Sequence, residues 1–191
     1  MITLEEFVHR GQAAQAAVDQ EIEKITWPLI YVISGGQTGA DQAGLHAARA
    51  CGYRTGGMAP KDYRTDAGPM PELLKSFGLV ESDHYAYGPR TWWNVHASTG
   101  TVWFGSTSSP GGVLTRGCCD QLTRPYLSNP ETPDVLRCWI VDHQITTLNV
   151  AGNRERTNQG IGARVEAFLM QALRRYTPPH KEIPHGYANR V

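Results

Sequence analysis

The first clear block of hydrophobic positions is Leu29-Ile30-Tyr31-Val32-Ile33, a continuous apolar run that follows Trp27-Pro28. A run without polar alternation suits a strand covered on both faces, as a central parallel strand is. Upstream, Thr3 and Glu6 have the spacing of a capping box, and Phe7, Ala14, Val18, Ile22 and Ile25 return on one face of a helix predicted to run to about Lys24. Downstream, Ser34 to Gly39 reads as a turn, and Ala40 to Ala50 reads as a helix stopped at Cys51-Gly52, where glycine supplies the left-handed cap.

The same order of strand, small-residue loop and helix recurs. Tyr53 to Gly56 is a second strand, followed by a proline-marked loop from Ala59 to Pro71 that is long for a compact domain. Thr101-Val102-Trp103-Phe104 is a third strand and enters the loop Gly105 to Gly112, ahead of a helix from about Val113 to Leu122. Tyr126-Leu127 forms a short strand, and Thr132-Pro133-Asp134 starts a helix with proline at its first position. Thr147 to Val150 is the last strand, and Ile161, Val165, Phe168, Leu169 and Ala172 mark the last amphipathic helix. This alternation predicts an α/β fold, a doubly wound and mainly parallel sheet with helices on both faces. Three segments are expected: a helical extension at 1–26, a ligand-binding domain at 27–176 and a polar tail at 177–191.

Composition narrows the partners. Lysine plus arginine equals aspartate plus glutamate at 18 each, so no global field draws the chain to nucleic acid or an anionic membrane. Any anion must be held by local geometry. Cys51, Cys118, Cys119 and Cys138 show no C-x-x-C spacing, which suits reduced thiols in the cytoplasm. No signal-peptide pattern or membrane-length apolar run stands out, so a soluble, cytoplasmic protein is expected. The histidines are scattered, His46 and His96 read as ordinary helix residues, and no metal site is expected.

The candidate chemistry lies in the loops. In Ser34-Gly35-Gly36-Gln37-Thr38-Gly39-Ala40-Asp41, glycines admit a ligand close to the backbone, and the following helix points its positive end at it. A phosphate suits that geometry, with Thr38 as a hydroxyl donor and Asp41 in the first helical turn. Lys61, Arg64 and Asp66 occupy the long second loop and could close over a polar ligand. Ser106 to Gly112, with Thr115 beyond, is a second set of small residues and hydroxyls before a helix, so two turns can flank one crevice. Arg90, Thr91 and Asn94 sit on a short helix at a spacing that places Arg90 and Asn94 on one face. The neighbouring Trp92 and Trp93 read as core or interface residues.

Taken in order, these motifs resemble the putative molybdenum-cofactor carrier family, Rossmann-like proteins of the lonely-guy and DNA-processing (SLOG) superfamily. The likeness rests on Ser34 to Asp41, Gly57 to Lys61, Asp66 to Glu72, Arg90-Thr91 with Asn94-Val95, Gly100-Thr101, Gly111-Gly112, and Leu148 to Gly152 with Arg154-Glu155. It covers roughly Ile30 to Leu173. The resemblance implies a phosphorylated ligand, either the molybdenum cofactor or a nucleotide or nucleotide derivative. It implies that Gly35, Gly36, Gln37, Thr38, Gly39 and Asp41 line a first loop, Lys61 a second, and Arg90, Thr91 and Asn94 a third, with Gly111, Gly112 and Thr115 completing the crevice, to which the loop reading adds Ser106. Pro110-Gly111-Gly112-Val113-Leu114-Thr115 is also similar to the P-G-G-x-G-T-x-x-E motif of that superfamily's phosphoribohydrolases, but Leu114 replaces a glycine and the motif's glutamate is missing. A hydrolase would then have to use Asp41 or Asp66. Three readings stay open: a carrier, a nucleotide-processing hydrolase, and a sensor whose ligand changes the assembly of a homo-oligomer.

Overall fold

A computed structural model of the chain describes residue 6 and residues 9–13 and 27–174. Residues 9–13 are helical, within the predicted N-terminal helix. The rest of that helix, the tail, and the proposed boundaries at 26 and 176 lie outside the described residues.

Six parallel strands form one sheet: β1 (Tyr31–Ser34), β2 (Arg54–Ala59), β5 (Leu79–Glu81), β6 (Gly100–Phe104), β7 (Tyr126–Ser128) and β8 (Thr147–Gly152). Their order is β5-β2-β1-β8-β6-β7, and every pairing is parallel. Two two-residue strands, β3 (Arg64–Thr65) and β4 (Gly68–Pro69), make a separate antiparallel hairpin. The helices are α1 (Ala40–Ala50), α2 (Pro71–Ser76), α3 (Tyr87–Ala97), α4 (Pro110–Gln121), α5 (Pro133–Asp142) and α6 (Ile161–Ala172). Among the described residues no helix is long and apolar enough to cross a membrane.

One face of the sheet carries the main core. Val32, Val102, Leu148 and Val150 pack there with Ala43 and Ala47 of α1, Leu136 and Ile140 of α5, and Val165 and Leu169 of α6. Leu45 of α1 and Leu74 of α2 share a smaller cluster with Leu79. On the opposite face, α3 and α4 meet through Val95, Cys118 and Cys119. Crossovers running toward β5, or inward from β7 to β8, use the first face, and those running toward β7 use the second. That division is what a single crossover hand requires.

Alternation along the central strands then assigns side chains to faces. Val102, Leu148 and Val150 enter the main core, so Thr101, Trp103, Asn149 and Ala151 look toward α3 and α4. Small residues let α1 lie close to the sheet: a Cβ on Gly44 would stand 2.6 Å from Cγ1 of Val150.

Several expected boundaries shift, each for a physical reason. The strand expected at Leu29 begins at Tyr31, where pairing with Arg54 and Thr147 starts on both sides. The second strand continues past Gly56 to Ala59 because Gly57, at φ +126°, nests against the backbone of Ser34. The helix expected from Val113 starts at Pro110, since proline suits the first turn and the Ser109 hydroxyl accepts from the Gly112 N–H at 3.2 Å. The long loop at 59–71 is tied down by buried Tyr63, a short 3₁₀ turn at Lys61–Tyr63 and the β3–β4 hairpin. Both α2 and β5 are additional to the sequence expectation.

Two glycine substitutions separate a steric constraint from a conformational one. A Cβ on Gly57 would sit 2.1 Å from the Ser34 carbonyl oxygen, whereas one on Gly52, also at positive φ, meets nothing within 4 Å. Gly57→Ala is expected to cost more than about 3 kcal/mol in urea unfolding or to abolish soluble expression, and Gly52→Ala only about 1–2 kcal/mol. Equal costs at the two positions would contradict this packing.

Candidate functional site

All parallel strands end on one edge, and the loops that leave β1, β6 and β8 meet there. Asn153, just past β8, joins them. Its N–H donates to the Phe104 carbonyl at 2.8 Å, and its own carbonyl accepts from the Ala40 N–H at 3.2 Å. Its side-chain Oδ1 accepts from the Ser106 N–H at 2.7 Å, and its Nδ2 donates to the Ser109 hydroxyl at 3.2 Å. Two glycines make room for this. A Cβ on Gly105 would fall 2.2 Å from Asn153 Oδ1, and one on Gly39 would fall 2.6 Å from the Asn153 carbonyl oxygen. Asn153 lies outside the motifs that the sequence displays, although two polar positions between an apolar strand and a glycine-containing loop are a usable signal.

Beneath these loops, between the sheet and α3 and α4, lies a cleft of about 80 Å³. Of the expected site residues it gathers Gly35, Gln37, Asp41, Arg90, Thr91, Asn94, Gly111 and Thr115. It does not gather the other six. Gly36 turns against Leu74 and Leu79, Gly39 against the backbone of Asn153 to Glu155, and Gly112 against the Ser106 and Thr107 carbonyls. Thr38 hydrogen-bonds to Gln37, Ser106 is exposed with its hydroxyl 2.9 Å from that of Ser108, and Lys61 lies over the Tyr85 ring at 5.1 Å. Of the second loop only Asp66 approaches the cleft, through its N–H to Gln37 Oε1 at 2.8 Å and an ion pair with Arg154 at 2.9 Å.

Tyr87, Trp103, Asn149 and Arg154 also line the cleft and were not singled out as site residues beforehand. Their signals were faint. Asn149 is a polar residue in an otherwise apolar central strand, and Trp103 looks like any strand aromatic until its neighbours are known. Asn149 Nδ2 donates to the Thr101 hydroxyl at 3.2 Å. Tyr87 lies beside two guanidinium groups, with Arg154 4.6 Å and Arg90 5.5 Å from its ring centre.

The first glycine loop is not an open fan of amides. The Gln37 N–H donates to Asp41 Oδ2, the Thr38 N–H to Gln37 Oε1, and the Ala40 N–H to Asn153. Three side-chain donors stand beside them. Gln37 Nε2, Arg90 Nε and Trp103 Nε1 are all buried without an acceptor, and all three residues line the same cleft. Gln37 and Trp103 are 4% and 3% exposed, so solvent does not satisfy them readily.

Charge is concentrated at one pair. Arg90 Nη1 stands 3.0 Å from Asp41 Oδ2, with side chains only 12% and 7% exposed. The guanidinium rests directly on Gly35, where any Cβ would overlap Nη1. Burial pushes the Asp41 carboxyl above its ordinary range, while the Arg90 charge and hydrogen bond pull it back. At the rim, Glu155 accepts from the Gly160 and Gly162 N–H groups at the start of α6, which holds its carboxyl below the usual range.

The chain matches the family model described as the circularly permutated YpsA SLOG family over residues 32–173. A crystal structure of a putative molybdenum carrier protein from Syntrophus aciditrophicus SB is similar, with 30% identity and a TM-score of 0.70, covering 76% of this chain and 94% of that one. No curated protein matches the chain. Adjacency of the first and last strands, β1 and β8, at the centre of the sheet fits a permuted connectivity.

The buried pair makes a prediction about stability. Arg90→Ala leaves the Asp41 carboxylate without its cation, and a loss of about 3–5 kcal/mol is expected at neutral pH. A raised carboxyl pKa favours the folded state most where the group is protonated and loses that benefit as pH rises through the folded value. The deficit of Arg90→Ala should therefore shrink on acidification, and Arg90→Ala/Asp41→Asn should recover part of it at pH 7. Urea unfolding across pH 4–8 measures both effects, and a deficit independent of pH would argue against an ionised, paired Asp41.

Proposed function

Because the chain belongs to the circularly permutated YpsA SLOG family, we propose that its cleft binds the anionic part of a phosphorylated small molecule and that the protein is a carrier, with the molybdenum cofactor as cargo. The observation that carries this reading is the set of three buried, unpartnered N–H donors on Gln37, Arg90 and Trp103 around one cleft. An unmet buried donor costs about 1–3 kcal/mol, so three along one small cavity favour a ligand rich in acceptors. Arg90 and Arg154 supply positive charge there, against the single carboxylate of Asp41.

The fit to such a cargo can be judged from the lining. Phosphate oxygens and the carbonyl and ring nitrogens of a pterin are acceptors, which suits a donor set of amide, indole and guanidinium. In this reading Arg90 and Arg154 hold the charge, and Gln37 and Trp103 fix orientation. The cofactor itself supplies molybdenum redox chemistry in whatever enzyme receives it. A volume of about 80 Å³ has room for several waters or one oxyanion group and falls short of the few hundred Å³ usual for whole ligands. The phosphate is thus the part matched to the cleft.

Binding without chemistry is favoured over hydrolysis. Asp41 is the one carboxylate lining the cleft, and its Oδ2 is already committed to Arg90 and to the Gln37 N–H. Asp66 is held by Arg154. The position of the missing glutamate, Cys118, is a buried thiol on α4.

Anaerobic incubation with cofactor released from a molybdoenzyme, desalting, and fluorescence of the oxidised pterin tests the proposal. Near-stoichiometric retention is expected, weakened about tenfold by Trp103→Phe, which removes one donor and keeps an aromatic ring. If no pterin is retained while AMP shifts the Trp103 indole N–H resonance, the cargo is a nucleotide. If neither ligand is bound, the carrier reading fails.

A further inference from the structure

On the other flank of α3 lies a second concavity of about 320 Å³, larger than the first and different in chemistry. Its walls are Trp92, Trp93, Pro89 and Met58, and its charged rim is Glu81 and Asp83, with Ser82 and His84 between and beside them. No lysine or arginine lines it. Neither carboxylate is paired with a cation: among the described residues the ion pairs involve Asp41, Asp66 and Asp120 instead. Glu81 accepts one hydrogen bond, from the Asp62 N–H, and Asp83 makes none.

The tryptophans are arranged for contact. Trp92 is 39% exposed, yet its ring is held by stacking on His96, with centroids 4.8 Å apart and planes 13° from parallel. Here two adjacent indoles open onto a cavity whose charged groups are acidic. An indole face attracts a cation through its quadrupole, and the attraction grows when the cation is partly desolvated. A thioether and a proline ring supply the apolar contact that alkyl groups on nitrogen would need.

We propose that this pocket is a binding site for a small organic ammonium ion, one whose charge is shared between the Trp92 and Trp93 rings and the Glu81 and Asp83 carboxylates. It is separate from the anion cleft and does not depend on the function assigned there. The two sites share α3. Tyr87, Arg90, Thr91 and Asn94 face the anion cleft, and Pro89, Trp92 and Trp93 face this one.

Choline and its neutral isostere 3,3-dimethylbutan-1-ol provide the test, with ¹⁵N-labelled indole N–H resonances as reporters. Choline should move the Trp92 and Trp93 signals saturably and leave Trp103 in place, while the neutral alcohol should move none of them. Asp83→Asn, an exposed change that should not disturb folding, is expected to weaken choline binding about fivefold, and Trp92→Ala to do so by a similar or larger factor. The proposal is overturned by an absence of saturation up to about 50 mM, by an equal response to the alcohol, or by an unchanged affinity in Asp83→Asn/Glu81→Gln.

Discussion

The candidate site depends first on the hydrogen bonds of one residue, Asn153. Loops that leave three different strands have no apolar core of their own to fix them, so polar contacts must set their spacing. Asn153 binds the end of β6, the start of α1 and both ends of the Ser106–Ser109 turn with its backbone and side-chain groups together. Such a network is effective because every member is satisfied. It also explains why Gly39 and Gly105 are glycines. At each, the space a Cβ would need is filled by Asn153. The frame so held leaves the donors of Gln37, Arg90 and Trp103 unmatched, so satisfaction in the scaffold and dissatisfaction in the cleft lie within a few residues of each other.

The buried Arg90–Asp41 pair belongs to the same division. Removing two charges from water costs several kcal/mol for each, and one 3.0 Å contact repays that only in part. Here the guanidinium leaves its Nε unpaired, while Asp41 is held by Arg90 and by the Gln37 and Gly152 N–H groups. A pair retained for stability would be expected to use more of its donors. Leaving an arginine edge free in an enclosed space instead keeps a planar, charged donor ready for an anion, and Asp41 keeps that arginine in place.

Much of the fold was legible in the residues, because burial on both faces leaves a plain mark. The apolar runs at Tyr31–Ile33 and Thr101–Phe104 and the periodic helix at 161–172 are long enough, or uniform enough, to show their period. The edge strand β5 was not legible. Its three residues include exposed Val80 and Glu81, and nothing in Leu-Val-Glu separates an edge strand from a loop. The site was legible in its first loop and in α3, where glycines and helical spacing carry local information. Trp103, Asn149 and Arg154 were hidden for another reason. Their roles arise from neighbours on other strands, and the face on which a strand residue emerges follows from pairing that the sequence does not display. Three of the backbone amides expected to face a phosphate, those of Gln37, Thr38 and Ala40, bond instead to Asp41, Gln37 and Asn153, partners that the glycine spacing does not display.

What fixes α3 matters to both concavities. Of its eleven residues only Asn94 and Val95 are buried, so apolar packing alone anchors it weakly. Besides the Arg90–Asp41 pair, the Asn94 amide holds it: Oδ1 accepts from the Met58 N–H at 2.8 Å, and Nδ2 donates to the Met58 carbonyl at 3.1 Å. Both bonds end on the residue whose side chain forms a wall of the second pocket, while Asn94 itself lines the first. A polar clamp of this kind defines direction better than a greasy contact, because two bonds, to the N–H and the C=O of one residue, fix rotation as well as distance. It also means that α3 cannot tilt toward one concavity without loading the same pair of bonds that borders the other. Arg90 on one face and Trp93 on the opposite face are therefore positioned by a common hinge, and that hinge is a side-chain amide bonded to a strand end.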